Sequence, residues 1–199
     1  MRRFLTILLA LAALGGWHWW SSERPVHRPP GIVAPDEPVQ IALDPSTTFD
    51  AKGYTFTKRA RFDIIARLLH KERYRVDAEA ALAPYDLGVG WGPLSDSAIL
   101  YQLEFTQMGR FFYWNPKRGD FPLSRQTTIT HLAQIHVIAA NAEIAARLAH
   151  LRPGQLVTAR GYLVDVRGPR GFTWNTSLKR DDTGDGACEI LWAETLSAD

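Results

Sequence analysis

An acidic, glycine-containing segment near the C-terminus carries the densest set of residues that could do chemistry. The pattern Asp181-x-Thr183-x-Asp185-Gly186 places oxygen-bearing side chains at alternate positions and glycine at the sixth, as a calcium-binding loop does. The twelfth position is Trp192, which offers no carboxylate. The pattern therefore favours a hairpin loop whose Asp side chains bond the turn backbone, and we assign no metal and no cofactor.

Polar side chains in and around this segment form one candidate functional or structural cluster. An Arg fork beside an acidic loop can pair with carboxylates on either side, which predicts a network that fixes the hairpin. The same cluster could instead serve an envelope hydrolase, with His136, Arg180, Asp182 and Glu189 as its polar groups. We assign no catalytic residue, because the chain contains no Gly-x-Ser-x-Gly elbow. The cluster consists of His136, Arg180, Asp182, Thr183 and Glu189.

Two histidines, one cysteine and one tryptophan are further candidates for a metal site, a reactive thiol or a ligand contact. His131 and His136 are five residues apart, which puts them on opposite faces of a strand and argues against a shared zinc ion. Cys188 falls on the apolar phase of its strand, so we expect a buried, inert thiol. Trp91 lies among glycines and is a candidate aromatic contact for a sugar or a peptide, although the same run also fits a plain tight turn.

The elements that must position these residues are predicted to form an α+β domain dominated by antiparallel strands. Residues 142–151 predict a helix capped by Asn141, and 77–82 predict a shorter helix capped by Asp77. Three strands with tight connections follow, and they look like part of a small OB-type barrel. These strands are predicted at Leu156 to Val166, Phe172 to Lys179 and Ala187 to Leu196.

The N-terminal third of the chain divides into three zones. Residues 1–20 begin with two arginines and continue as an uncharged apolar run that ends in three tryptophans, which predicts a transmembrane anchor. A cleaved signal peptide is the alternative. Residues 21–38 contain five prolines and predict a linker. The globular domain is expected at 39–199, on the periplasmic side of a bacterial inner membrane that the chain crosses once.

The composition limits the class of protein. The chain has 199 residues, of which 46% are hydrophobic, with seven Trp and nine Phe, so it can bury a sizeable core. Its formal net charge is only +2, and no basic block stands out, so we expect no nucleic-acid partner. A single cysteine rules out an intrachain disulfide.

Several stretches, from about Thr48 onward, make the chain resemble a family of uncharacterised bacterial proteins. The resemblance implies an exported or membrane-anchored protein and supplies no activity. We therefore expect a membrane-anchored envelope domain with a non-catalytic binding or structural role, and an envelope protein or a glycan as its ligand. The stretches are Ala83 to Asp96, His136 to Ala140, Gly154 to Val157, Gly161 to Val164, and Ser177 to Glu189.

Overall fold

The computed structural model describes residue 16 and residues 24–184 and 186–199. In these residues most of the regular structure is strand, and the three α-helices are short. The helices are α1 (Ser97–Leu100), α2 (Arg125–Thr130) and α3 (Ala142–His150). The strands are β1 (Val39–Ala51), β2 (Tyr54–Arg73), β3 (Tyr85–Gly90), β4 (Leu103–Met108), β5 (Phe111–Pro116), β6 (Leu132–Ala139), β7 (Leu156–Arg167), β8 (Thr173–Trp174) and β9 (Glu189–Ala198).

Five of the strands form a closed ring. The long strand β2 pairs with β3 along one edge and with β7 along the other. From β3 the hydrogen bonding continues to β6, from β6 to β9, and from β9 back to β7. All of these pairings are antiparallel except β6 with β9, which run parallel. The strand β1 extends the sheet beside the first half of β2, and β8 extends it beside β7.

This architecture corrects the predicted fold class. The domain is mostly strand, with one mixed sheet of seven strands, rather than the predicted α+β domain dominated by antiparallel strands. The three C-terminal strands are not a separate OB-like part, because β7 and β9 belong to the ring and β8 has only two residues. The segment predicted as a short helix at Asp77 forms turns. The helix predicted after Asn141 is confirmed, and Asn141 caps it by accepting a hydrogen bond from the Ile144 amide at 3.0 Å.

Alternating residues of the strands supply two apolar clusters on the two faces of the sheet. On β9, Leu191 belongs to the barrel interior, whereas its neighbours Ile190 and Trp192 belong to an outer cluster around Phe56. This period of two follows from strand geometry. The helix α3 adds Ile144 and Leu148 to the interior cluster.

A separate two-stranded hairpin, β4 with β5, lies over the outer face of β3. The ring of Phe112 on β5 packs against Gly88 so closely that a Cβ on Gly88 would lie 2.6 Å from it. Glycine at this position therefore lets the hairpin approach the barrel. The hairpin turns through Gly109 and Arg110, which both have positive φ, of 59° and 63°.

The proline-rich segment is packed against the domain. The Val26 amide bonds the carbonyl of Pro153 at 2.7 Å, and Arg28 forms an ion pair with Asp199 at 2.6 Å. Ser95 accepts hydrogen bonds from the amides of residues 33 and 34 at 3.1 Å each. We call residues 26–34 the strap, and these contacts hold it against the domain.

None of the helices in the described part of the chain is long and apolar enough to span a membrane. The anchor predicted at residues 1–20 lies outside the described residues, apart from Gly16.

Candidate functional site

One candidate site is an open cleft of about 630 Å³ on the outer face of β6, which we call the principal cleft. Three connections wall it: the β2–β3 loop, the tip of the β4–β5 hairpin, and the segment from β8 to β9. His136 lies in its floor. The lining residues are Tyr74, Asp77, Glu79, Gly109, Arg110, Phe111, His136, Thr173, Trp174, Asn175, Gly186 and Cys188.

Arg110 is the most heavily bonded side chain of the principal cleft. Its Nε and Nη2 atoms donate to the two carboxylate oxygens of Asp77, at 3.1 and 2.7 Å. Nη1 donates to Asp86 at 2.9 Å, and Nη2 also donates to the carbonyl of Ala83 at 3.1 Å. The guanidinium carbon lies 4.2 Å from the ring centre of Tyr74. The left-handed backbone of a non-glycine residue at a turn costs free energy, which these bonds offset.

Asp86 and His136 form a buried pair beneath the cleft. The carboxylate of Asp86 is fully buried and accepts hydrogen bonds from Gln107 at 3.1 Å and Gln134 at 3.3 Å. The His136 Nδ1 atom lies 2.8 Å from Asp86 Oδ1, close enough for an ion pair, although the angle does not make a directed hydrogen bond. The imidazole packs against Trp174, with ring centres 4.8 Å apart. These contacts hold its Nδ1 edge towards the carboxylate, and His136 also lines the cleft.

Burial and contacts with Arg110 shift the pKa values of Asp77 and Tyr74 in the cleft wall. Burial alone would raise the pKa of Asp77, but the hydrogen bonds and the charge of Arg110 outweigh it and lower that pKa. Burial raises the pKa of Tyr74, whose hydroxyl accepts a hydrogen bond from the Arg110 amide at 3.1 Å. Asp77 is therefore ionised and Tyr74 is neutral at physiological pH.

A second, smaller cavity of about 130 Å³ lies beside the principal cleft, and we call it the small cavity. Phe111 and Cys188 contribute to the walls of both. The small cavity contains four of the five residues of the predicted cluster: Arg180, Asp182, Thr183 and Glu189.

An ion pair between Arg180 and Glu189 lines the small cavity, with Nη1 and Oε1 2.5 Å apart. The Arg180 guanidinium carbon lies 5.0 Å from the ring centre of Phe62 and 5.8 Å from that of Trp91. Its Nη2 also donates to Gln40 Oε1 at 2.8 Å. Burial raises the pKa of Glu189 to about 7, against the opposing effect of the Arg180 charge. Neither side chain has a fully buried nitrogen or oxygen without a hydrogen-bond partner, which is the arrangement expected of a structural cap.

The other predicted residues are hydrogen-bonded within the domain, buried in it, or exposed at its surface. Asp182 accepts a hydrogen bond from the Ser177 hydroxyl at 2.6 Å, rather than from Arg180, and Thr183 is exposed. Trp91 is fully buried beside Arg180, so it presents no face to an external ligand. Cys188 is only partly buried and lies at the junction of the two cavities, which corrects the expectation of a buried thiol.

The structure does not bring the four polar groups of the predicted hydrolase into one cavity. His136 lines the principal cleft, whereas Arg180, Asp182 and Glu189 line the small cavity. Sequence reasoning missed the principal partners of His136, which are Asp86 and the residues around it. Arg110 lies between two alternating apolar runs, which is the sequence signal of a hairpin turn. Arginine, however, is not a residue that such turns favour.

Comparisons with protein-family models, curated proteins and solved structures return no match. The resemblance to an uncharacterised bacterial family therefore stays a prediction.

Proposed function

We propose that this chain is a bacterial envelope domain that binds a ligand in the principal cleft. The observation that carries the proposal is the cleft itself: an open volume of about 630 Å³ whose base is fixed by the Asp86, His136 and Arg110 contacts. Ligand sites commonly measure about 300 to 1,000 Å³ and combine aromatic walls with a few fixed polar groups. The aromatic side chains of Tyr74, Phe111 and Trp174 supply such walls.

The position of the cleft in the barrel supports the same proposal. The closed ring of β2, β3, β6, β7 and β9 has the strand layout of an OB-type barrel. The likeness involves all five strands of the ring and not a separate part made of the three C-terminal strands. Barrels of this type bind oligonucleotides and oligosaccharides on the face of their second and third strands, beside the first and fourth connections. In this ring those parts are β3, β6 and the segments 74–84 and 168–188, which adjoin or line the principal cleft. This likeness supports the place of the site and leaves the ligand open.

A binding role fits the contacts better than hydrolysis by the predicted cluster. The charges of Arg180 and Glu189 neutralise each other, and both side chains are largely buried. A group held in this way has little freedom to exchange a proton with a substrate.

The test is a thermal-shift panel on the full-length chain in detergent. The panel contains short neutral glycans, capped neutral peptides, and peptides that carry either charge. We expect at least one class to raise the melting temperature of the wild type and not of Trp174→Ala, because a ligand that binds only the folded state stabilises it. Tyr101→Ala, an exposed aromatic residue outside the cleft, is the matched control. A panel with no shift, or equal shifts in both variants, would refute the site, and ligand cleavage detected by mass spectrometry would refute a purely binding role.

Envelope placement is part of the proposal and has its own test. Alkaline carbonate treatment of cell membranes should leave the full-length chain in the pellet if residues 1–20 anchor it. Recovery of a chain shortened by about 20 residues in the soluble fraction would instead show a cleaved signal peptide.

A further inference from the structure

We infer that the ligand of the principal cleft carries a positive charge and is an arginine or lysine side chain of a peptide. This inference rests on the proposed function and adds the chemical class of the ligand.

Acidic side chains outnumber arginine and lysine in and directly beneath the cleft. Asp77 and Glu79 line the cleft, Asp86 lies directly beneath it, and Arg110 is the one arginine or lysine among the described lining residues, which also include His136. The guanidinium of Arg110 is already occupied by four hydrogen bonds to Asp77, Asp86 and Ala83. The carboxylate of Glu79 makes no ion pair or hydrogen bond to another described residue. An excess of negative charge in a concave site concentrates cations and repels anions.

His136 places a buried polar group in the floor of the cleft. Its side chain is only 5% exposed, and neither ring nitrogen makes a directed hydrogen bond within the described residues. An occupant of the cleft would therefore contact the His136 ring.

Arg110 shows what chemistry this cleft accommodates. Its guanidinium sits between two carboxylates, with the ring centres of Tyr74 and Trp174 at 4.2 and 5.8 Å from its central carbon. A cation over an aromatic ring gains electrostatic attraction, and more when water is excluded. The rest of the cleft offers similar parts, with Glu79 as the carboxylate and Trp174 as the ring. A second cationic side chain, presented by a peptide, matches them.

Titration calorimetry on the full-length chain tests the inference with three capped alanine pentapeptides. Their central residues are arginine, lysine and citrulline, the last being the uncharged analogue of arginine. We expect the arginine and lysine peptides to bind at least tenfold more tightly than the citrulline peptide, and their affinity to fall as salt is raised. Glu79→Gln should remove this preference, whereas Glu143→Gln on the exposed face of α3 should keep it.

The outcomes separate this inference from the proposed function. Equal binding of the arginine and citrulline peptides, or an unchanged preference in Glu79→Gln with its melting temperature preserved, would overturn the cationic ligand. Binding of a neutral glycan but no charged peptide, lost in Trp174→Ala, would overturn it while the principal cleft remains the ligand site. No binding by any probe would overturn both.

Discussion

Replacement of Arg180 by methionine removes the cation that neutralises the buried carboxylate of Glu189. Methionine keeps much of the apolar contact with Phe62 and Trp91, so the change isolates the charge and the hydrogen bonds. Removing one partner of a buried ion pair costs about 3–5 kcal/mol when the other charge stays buried without compensation, and less when that group takes up a proton instead. Glu189 is only 4% exposed and has a pKa raised to about 7 even beside Arg180, so it is protonated in the variant at neutral pH. We therefore expect a loss of roughly 1–3 kcal/mol in the free energy of unfolding, from the hydrogen bonds that Arg180 donates to Glu189 and Gln40.

A double-mutant cycle separates the ion pair from other effects of the substitution. In Arg180→Met with Glu189→Gln the carboxylate is gone, and the penalty of leaving it unpaired should disappear. The two losses should then fall short of additivity by roughly 1–3 kcal/mol, as contacting residues do. Glu143→Gln, which breaks the exposed pair with Arg147, should cost no more than about 0.5 kcal/mol.

The pH dependence supplies a second measure of the same pair. Burial raises the pKa of Glu189 from 4.5 to about 7, so the folded state holds this proton more tightly than the unfolded state does. The stabilisation is complete below pH 4.5 and is lost as the pH rises through 7, with a ceiling of roughly 3 kcal/mol. Glu189→Gln should flatten this fall. In Arg180→Met the lowering effect of the Arg180 charge is absent, and the fall should extend to higher pH.

Urea unfolding followed by tryptophan fluorescence, at pH values between about 4.5 and about 8, measures the stability of the wild type and of all four variants. A cost below about 1 kcal/mol for Arg180→Met at neutral pH would contradict a stabilising role of the Arg180–Glu189 pair. Retention of the wild-type pH dependence in Glu189→Gln would show that Glu189 is not the titrating group.

Cys188 is partly exposed at the junction of the cavities, so iodoacetamide should modify it in the native protein as well as in denaturant. Complete protection of the native thiol would contradict this placement. Gly161→Ala should cost roughly 2–4 kcal/mol, because a Cβ there would overlap the carbonyl of Trp192. An unchanged urea midpoint would show that the strand pair can shift to make room. Ser95→Ala removes the acceptor of two strap amides and should cost roughly 1–3 kcal/mol. It should also expose residues 26–34 to limited proteolysis, and equal resistance in both proteins would argue against a docked strap.

The sequence indicates most strands but not how they pair. Local alternation of apolar and polar residues marks a strand, whereas the parallel pairing of β6 with β9 depends on residues about 50 positions apart in the chain. Residues 88–92 predict irregular structure because they contain three glycines, yet Tyr85–Gly90 is a central strand. Gly88 is required there by the ring of Phe112, a contact that no local pattern reveals.

Part of the candidate site could be predicted from the sequence. The residue types of Arg180 and Glu189 beside an acidic loop indicate an ion pair, and the structure contains it. His136 is recognisable as a candidate, but its partner Asp86 lies on another strand and is brought beside it only by the pairing of β3 with β6. Trp91 next to glycines suggests an accessible ring, and only the tertiary structure shows that Arg180 covers it.

The closed ring has a consequence for how the chain folds. One edge of β2 pairs with β1 and β3, which are close to it in sequence. The other edge pairs with β7, which is distant in sequence, as the pairing of Thr55 with Arg167 shows. Such distant pairings form slowly, because closing the long loop between the two strands costs conformational entropy before any contact between them is made. Until then a strand of 20 residues carries an open edge that can template association between chains. Refolding yield should therefore depend strongly on protein concentration, with dilution favouring the closed barrel over aggregates.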